Sequence, residues 1–162
     1  MWRDAWILSR VLDSSLISWH RHFRRRILAT WAGYRIRSVK EADDAQRIAY
    51  LRRLDPFVFE ELVLDAFQRQ GAVVLRSLRY SGDGGLDGRV YFRGEWYGLQ
   101  CKRYKGDIPL RFLLDFRRSL TRAGLRRGFF VSTSNLSATA WQHLPDGVSS
   151  LSPTRFLELF RS

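Results

Sequence analysis

Asp87, Gln100 and Lys102 are the residues whose types and spacing could do chemistry. Side chains two apart in a β-strand share a face, so Gln100 and Lys102 would project together and Cys101 the other way, toward a core. The alternating segments Asp87–Arg93 and Glu95–Arg103 flank Arg93-Gly94, a two-residue hairpin turn. That turn pairs Phe92 with Glu95 and sets Asp87 across from Gln100, where opposed Cβ atoms lie roughly 5 Å apart. A carboxylate, a carboxamide oxygen and an amine would then form one cluster, and a one-residue slip would scatter them to opposite faces. Such oxygen donors suit Mg2+, a hard cation that keeps several waters. The ion can bind a phosphate oxygen and lower the pKa of a bound water. A lysine amine can orient that water, take its proton, or stabilise charge growing on phosphorus. Arginine could not be the base, because it stays protonated. Of the 28 Lys and Arg residues only Lys40, Lys102 and Lys105 are lysines, which draws attention to position 102. The same spacing also describes an ordinary solvated hairpin face, and on spacing alone both readings stand.

The elements that must position this cluster are legible from residue 46 onward. Asp55-Pro56 reads as an N-cap and first helical residue, followed by the apolar positions Phe57, Phe59, Leu62, Val63, Ala66 and Phe67 and a stop at Gly71. Ala72–Leu78 reads as a strand, and Ser81-Gly82-Asp83-Gly84-Gly85 as a tight loop before the hairpin. Asp107-Ile108-Pro109 opens a helix through Leu120, Gly128–Ser132 is a short buried strand, and Ser137–His143 a further helix. Val148–Leu151 is a last strand, and Ser152-Pro153 caps a terminal helix through Phe160. The order α-β-β-β-α-β-α-β-α predicts an α/β fold, a mixed β-sheet flanked by helices.

Residues 1–45 read as a separate, basic, Trp-rich helical extension ahead of a domain at 46–162. Trp2, Trp6, Ile7, Leu12, Leu16, Ile17, Phe23, Ile27, Leu28 and Trp31 recur at roughly helical spacing around the basic run Arg21-His22-Phe23-Arg24-Arg25-Arg26. Packing on the domain or on a second copy, lying on DNA, and lying on a membrane interface all fit this pattern. The net charge of +12 on 162 residues favours polyanionic partners. Arg3, Asp4, Arg10, Asp13 and Arg21 interrupt the N-terminal apolar runs, so neither a transmembrane helix nor a secretory signal is expected. The single cysteine, Cys101, excludes an intrachain disulfide and makes a reducing, cytoplasmic setting the expectation.

Several segments in order carry a resemblance. Phe59-Glu60-Glu61-Leu62-Val63 precedes Gly71, then come Ser81-Gly82-Asp83-Gly84-Gly85-Leu86-Asp87-Gly88, Leu99-Gln100-Cys101-Lys102-Arg103-Tyr104, and Gly128-Phe129-Phe130-Val131-Ser132-Thr133-Ser134. Over about residues 46–162 this resembles the catalytic domain of Mrr-like restriction endonucleases, within the PD-(D/E)XK nuclease superfamily. The resemblance implies a restriction-endonuclease-like fold and metal-dependent cleavage of DNA phosphodiester bonds, with Mg2+ as cofactor and Mn2+ as a substitute. It implies that Asp87 is the central metal-binding aspartate and Lys102 the catalytic lysine. Gln100 stands where the wider superfamily has Glu or Asp and offers only a neutral oxygen. Glu60 matches the helix acid that completes the metal site, and the backbone carbonyl of Cys101 a further ligand. Ser81 and Asp83 match the glycine-rich loop before the aspartate; for Asp83 a turn role is the alternative. Arg79, Arg103, Tyr104 and Lys105 flank the cluster and would add nonspecific DNA affinity through counterion release. Ser132-Thr133-Ser134-Asn135 reads either as a phosphate contact or as a strand-to-helix loop. A noncatalytic DNA-binding or assembly module is the alternative function. Cutting both strands needs two active centres or two successive nicks, and a homodimer would supply the two centres.

Overall fold

The computed structural model describes residues 4–38, 43–76 and 85–161. A long helix α1 (Asp4–Ser38) and a short α2 (Asp44–Leu51) precede α3 (Pro56–Arg69). The hairpin-rich half follows as β1 (Val73–Arg76), β2 (Gly88–Phe92) and β3 (Glu95–Lys102). Then come α4 (Leu110–Arg122), β4 (Arg127–Ser132), α5 (Ala138–Gln142), β5 (Val148–Leu151) and α6 (Pro153–Glu158). The five strands form one sheet in the order β1-β2-β3-β4-β5, antiparallel over the first three and parallel from β3 to β5. The mixed sheet flanked by helices is the predicted architecture. α2, which the sequence reading did not assign, begins at an N-cap where the Asp43 side chain accepts from the Gln46 N–H.

The predicted hairpin register is the observed one. Phe92 pairs with Glu95 and the ladder runs to Gly88 opposite Leu99. Arg93 and Gly94 both take positive φ, 52° and 84°, as a two-residue turn matched to strand twist requires. The predicted cap of α3 also holds, with the Asp55 carboxylate accepting from the Phe57 and Val58 N–H groups ahead of Pro56. At α4 the helix starts at Leu110, after Pro109, while Ile108 stays extended and bridges Leu136.

Alternation along the strands splits the core in two. Leu99, Cys101, Val90 and Val131 face α3, α1 and α6, packing with Phe59, Leu62, Val63, Ala32, Ile36 and Phe156. Phe130, Val148 and Leu86 face the other way, onto Leu113, Phe116 and Leu120 of α4 and Ala140 of α5. On this second side Gly98 of β3 pairs with Gly128 of β4. A Cβ on Gly128 would lie 2.6 Å from Phe116 Cζ and 2.7 Å from Leu120 Cδ2, so the facing glycines let α4 lie close on the sheet. Gln100 and Lys102 continue that face beyond the glycines.

Candidate active site

The C-terminal end of the central strand β3, the entry to β2 and the second turn of α3 meet at one end of the strands. Asp87 stands just before β2, one residue past the last ladder pair, and its N–H donates to the Leu99 carbonyl at 2.8 Å. Its Oδ2 accepts the Cys101 N–H at 2.6 Å, so the carboxylate is tied to the middle of the Gln100-Cys101-Lys102 triplet. Burial pushes its pKa up to about 6, against the pull of the Cys101 N–H and the Lys102 ammonium, which lower it.

Glu60 faces Asp87 from α3. Burial first, and then the negative charge of Asp87, push its carboxyl up to about 8, with smaller contributions from Glu61 and Asp55; Arg25 of α1 opposes the shift. The Arg25 guanidinium lies 4.0 Å over the Phe57 ring. Arg25 is a neighbour that the sequence reading did not connect to this cluster. Nothing in the spacing of residues 1–45 ties that residue to Glu60; only the packing of α1 on α3 does.

Lys102 and Gln100 project on the α4 side, as alternation predicts. Lys102 Nζ sits 4.8 Å from the Phe112 ring centroid, a cation–π contact, and Phe112 meets Tyr104 edge-on at 5.4 Å. Gln100 Nε2 donates to the Gly85 carbonyl at 2.7 Å. Gly85 has φ of 91°, and a Cβ there would press on Ser119 Oγ at 2.8 Å, so glycine is required where the loop hands over to Asp87. The Cys101 side chain is buried in the core. Burial, then the charges of Asp87 and Glu60, raise its thiol well above the ordinary value, which keeps it protonated and unreactive.

The Ser132-Thr133-Ser134 segment is buried and hydrogen-bonded within the protein. Thr133 Oγ1 accepts the Tyr104 N–H at 3.2 Å and donates to the Tyr104 carbonyl, which also accepts from Ser134 Oγ at 2.6 Å. The Thr133 N–H donates to the Lys102 carbonyl at 3.1 Å. The segment therefore clasps the chain just past Lys102, which is the loop reading rather than the phosphate one. Arg103 and Lys105 are exposed, with Arg103 donating to the Arg52 carbonyl at 2.9 Å, and Tyr104 is half-buried. Arg79, Ser81 and Asp83 lie outside the described residues.

The donor set fits a hard divalent ion. Two half-buried carboxylates, Asp87 and Glu60, stand beside the Cys101 main chain and an amide anchored through its nitrogen, and the Asp87 charge raises the Glu60 carboxyl. Among the described residues no group of three His, Cys, Asp or Glu side chains forms a metal cage. Any ion here would rely on neutral oxygens and water for the rest of its shell.

The mixed sheet with its flanking helices defines an α/β domain of restriction-endonuclease fold. Residues 51–159 match the family model of the Mrr-type catalytic domain, described as a restriction endonuclease, and the chain belongs to that family. Among solved structures it resembles the DNA modification-dependent restriction endonuclease AspBHI, with a TM-score of 0.56 and 21% identity over 73% of this chain and 35% of that one. It also matches the MspJI restriction endonuclease in complex with a 27-mer oligonucleotide, at a TM-score of 0.49 and 19% identity over 76% of this chain and 32% of that one. The chain thus spans about a third of the length of either. No curated protein matches it. No helix among the described residues is long and apolar enough to cross a membrane.

Proposed function

We propose that this chain is a divalent-metal-dependent DNA endonuclease that hydrolyses phosphodiester bonds, with Mg2+ as its ion and Mn2+ as a substitute. The observation that carries the reading is the convergence of Glu60 and Lys102 on Asp87, whose carboxylate accepts the Cys101 N–H. Asp87, Glu60, the Cys101 carbonyl and the Gln100 amide oxygen would hold the ion. When bound, it anchors a phosphate oxygen and makes a bound water more acidic.

The chain's own groups do the rest. The Cys101 N–H fixes one oxygen of Asp87 and leaves the other for the ion. Glu60 keeps its proton near neutrality until positive charge arrives beside it. Lys102, steadied by Phe112, is the group that orients the attacking water, takes its proton or offsets charge on phosphorus. Arg103, Tyr104 and Lys105 face the DNA, a role the sequence also offers Arg79, Ser81 and Asp83, and contacts to the DNA backbone position the duplex without reading its sequence. A buried lone cysteine suits a reducing, cytoplasmic setting.

The test is nicking and linearisation of supercoiled plasmid with Mg2+, Mn2+ or chelator, beside methylated, unmethylated, branched and single-stranded substrates. Modified duplexes come first, because the structural neighbour is modification-dependent. Cleavage should need the ion, vanish in Asp87→Asn and fall steeply in Lys102→Ala, with circular dichroism unchanged. DNA binding without metal-dependent cleavage on any substrate would replace this reading with the noncatalytic module.

A further inference from the structure

The C-terminal half of α1 leaves a run of large apolar side chains uncovered. Phe23, Ile27, Leu28, Trp31 and Tyr34 are between 45% and 68% exposed, Trp31 the most. At about 100° of rotation per residue they fall within an arc of about 140° around the helix. Ala29, Ala32 and Ile36, which pack into the core, fall on the opposite side. The outward face of a helix on a globular domain is ordinarily polar, so an apolar arc of this size marks a contact surface.

The charges in the arc identify its occupant. Arg24 and Arg35 fall inside it, between Trp31 and Leu28, and both are exposed. Among the described residues neither is held in an ion pair, and the Arg35 guanidinium lies 5.2 Å over the Tyr50 ring. No acid occurs anywhere from His20 to Ser38. A second copy laid face to face on this arc would set arginine against arginine and offer neither a carboxylate. The backbone of a DNA duplex would meet the arginines with phosphate but brings nothing apolar to cover Trp31, Ile27 and Phe23. An anionic bilayer supplies both: phosphate for the arginines and acyl chain for the apolar side chains, with Trp31 and Tyr34 at the boundary where such rings concentrate.

We propose that α1 lies along an anionic phospholipid surface through this arc, resting on the bilayer without crossing it. The apolar side chains would enter about 5–10 Å, to the boundary of headgroups and acyl chains. Arg24 and Arg35 would lay their stems along the apolar surface and hold their guanidiniums among the phosphates. Arg25, which approaches Glu60, falls about 130° from the centre of the arc, so the candidate active site is not on the docking face. The proposal is independent of the endonuclease reading.

Co-sedimentation of the full chain with vesicles tests it without reference to cleavage. The protein should pellet with phosphatidylcholine vesicles that contain phosphatidylglycerol and stay in solution with phosphatidylcholine alone. Trp31→Glu should weaken that binding by more than about tenfold, and Arg24→Gln and Arg35→Gln by about fivefold each, with circular dichroism unchanged. An environment-sensitive dye on Leu28→Cys should shift to the blue on the mixed vesicles. The same dye on Thr121→Cys, exposed on α4 across the sheet, should not shift, and the buried Cys101 keeps labelling specific. No pelleting with the mixed vesicles, pelleting that Trp31→Glu leaves intact, or a blue shift at Thr121→Cys would overturn the proposal. A dimer in sedimentation velocity that Trp31→Glu dissociates, without vesicle binding, would make the arc an interface between copies instead. DNA affinity lost in Trp31→Glu, again without vesicle binding, would assign it to nucleic acid.

Discussion

Glu60 and Asp87 are an unfavourable pair of charges in a half-buried site. Because the folded Glu60 carboxyl titrates at about 8, above its unfolded value, the folded protein binds the extra proton between those two points. Stability is then fully present below the ordinary glutamate range and is lost as pH rises toward 8. Asp87, titrating at about 6, adds the same sign over a lower window. Metal-free protein should therefore melt at a lower temperature at pH 8.5 than at pH 5.5, and Glu60→Gln should flatten that difference. A divalent ion should raise the melting temperature more at the higher pH, because its ligands must first lose their protons. Thermal melts at both pH values, with and without Mg2+, check this; a pH-independent gap in both proteins would refute it. Lys102 permits a separate test of role. Lys102→Ala should slow single-turnover cleavage by on the order of 10²–10⁴-fold, the usual contribution of a general base. Lys102→Arg keeps the charge and cannot accept the proton, so little activity should return if proton transfer is what lysine supplies. DNA affinity measured by anisotropy should change little in either variant.

At the scale of elements, the hairpin and α4 together aim the site. Gly128→Ala would drive a methyl into Phe116, Leu120 and the Gly98 carbonyl, the last 2.8 Å from the new carbon. A backbone oxygen cannot move aside as a side chain can, so the substitution should destabilise by about 1–3 kcal/mol, read as a lower urea midpoint with the slope unchanged. It should also lower activity in urea-free buffer, because α4 carries the Phe112 ring that meets Lys102. The hairpin was legible in the sequence for a local reason. Arg93-Gly94 admits a two-residue turn, the turn sets the register, and the register brings Asp87 to the Gln100-Cys101-Lys102 triplet. The caps at Asp55, Ser137 and Ser152 were legible because each side chain bonds a backbone N–H within three residues of itself. What sequence could not disclose is held by distant partners. Thr133 reaches Tyr104 across 29 residues, and Arg25 approaches Glu60 only once α1 has docked. α2 escaped notice because its eight residues are too few for periodicity to separate from noise. The chemistry of Gln100 was half legible: its side of the strand followed from alternation, but its bond to Gly85 depends on a loop whose course no spacing rule gives.

For the whole molecule, a charge of +12 on 162 residues must act at longer range than any single contact. Phosphate neutralisation releases condensed counterions, so DNA affinity should fall linearly on a log–log plot against salt, by about 0.9 per phosphate contacted on a duplex. Active-site substitutions such as Asp87→Asn should leave that slope nearly intact. How many centres meet one DNA molecule is a matter of assembly, and the products of cleavage report it. A monomeric nuclease releases nicked circles and makes linear plasmid only through a second, independent encounter, so linear product lags behind nicks. Two centres held on one DNA molecule can cut the second strand before they let go. Two copies acting together should give linear plasmid early, and earlier still as enzyme concentration rises. Linear product that lags behind nicks by the same interval at every enzyme concentration would mean that each copy works alone, whatever its state in solution.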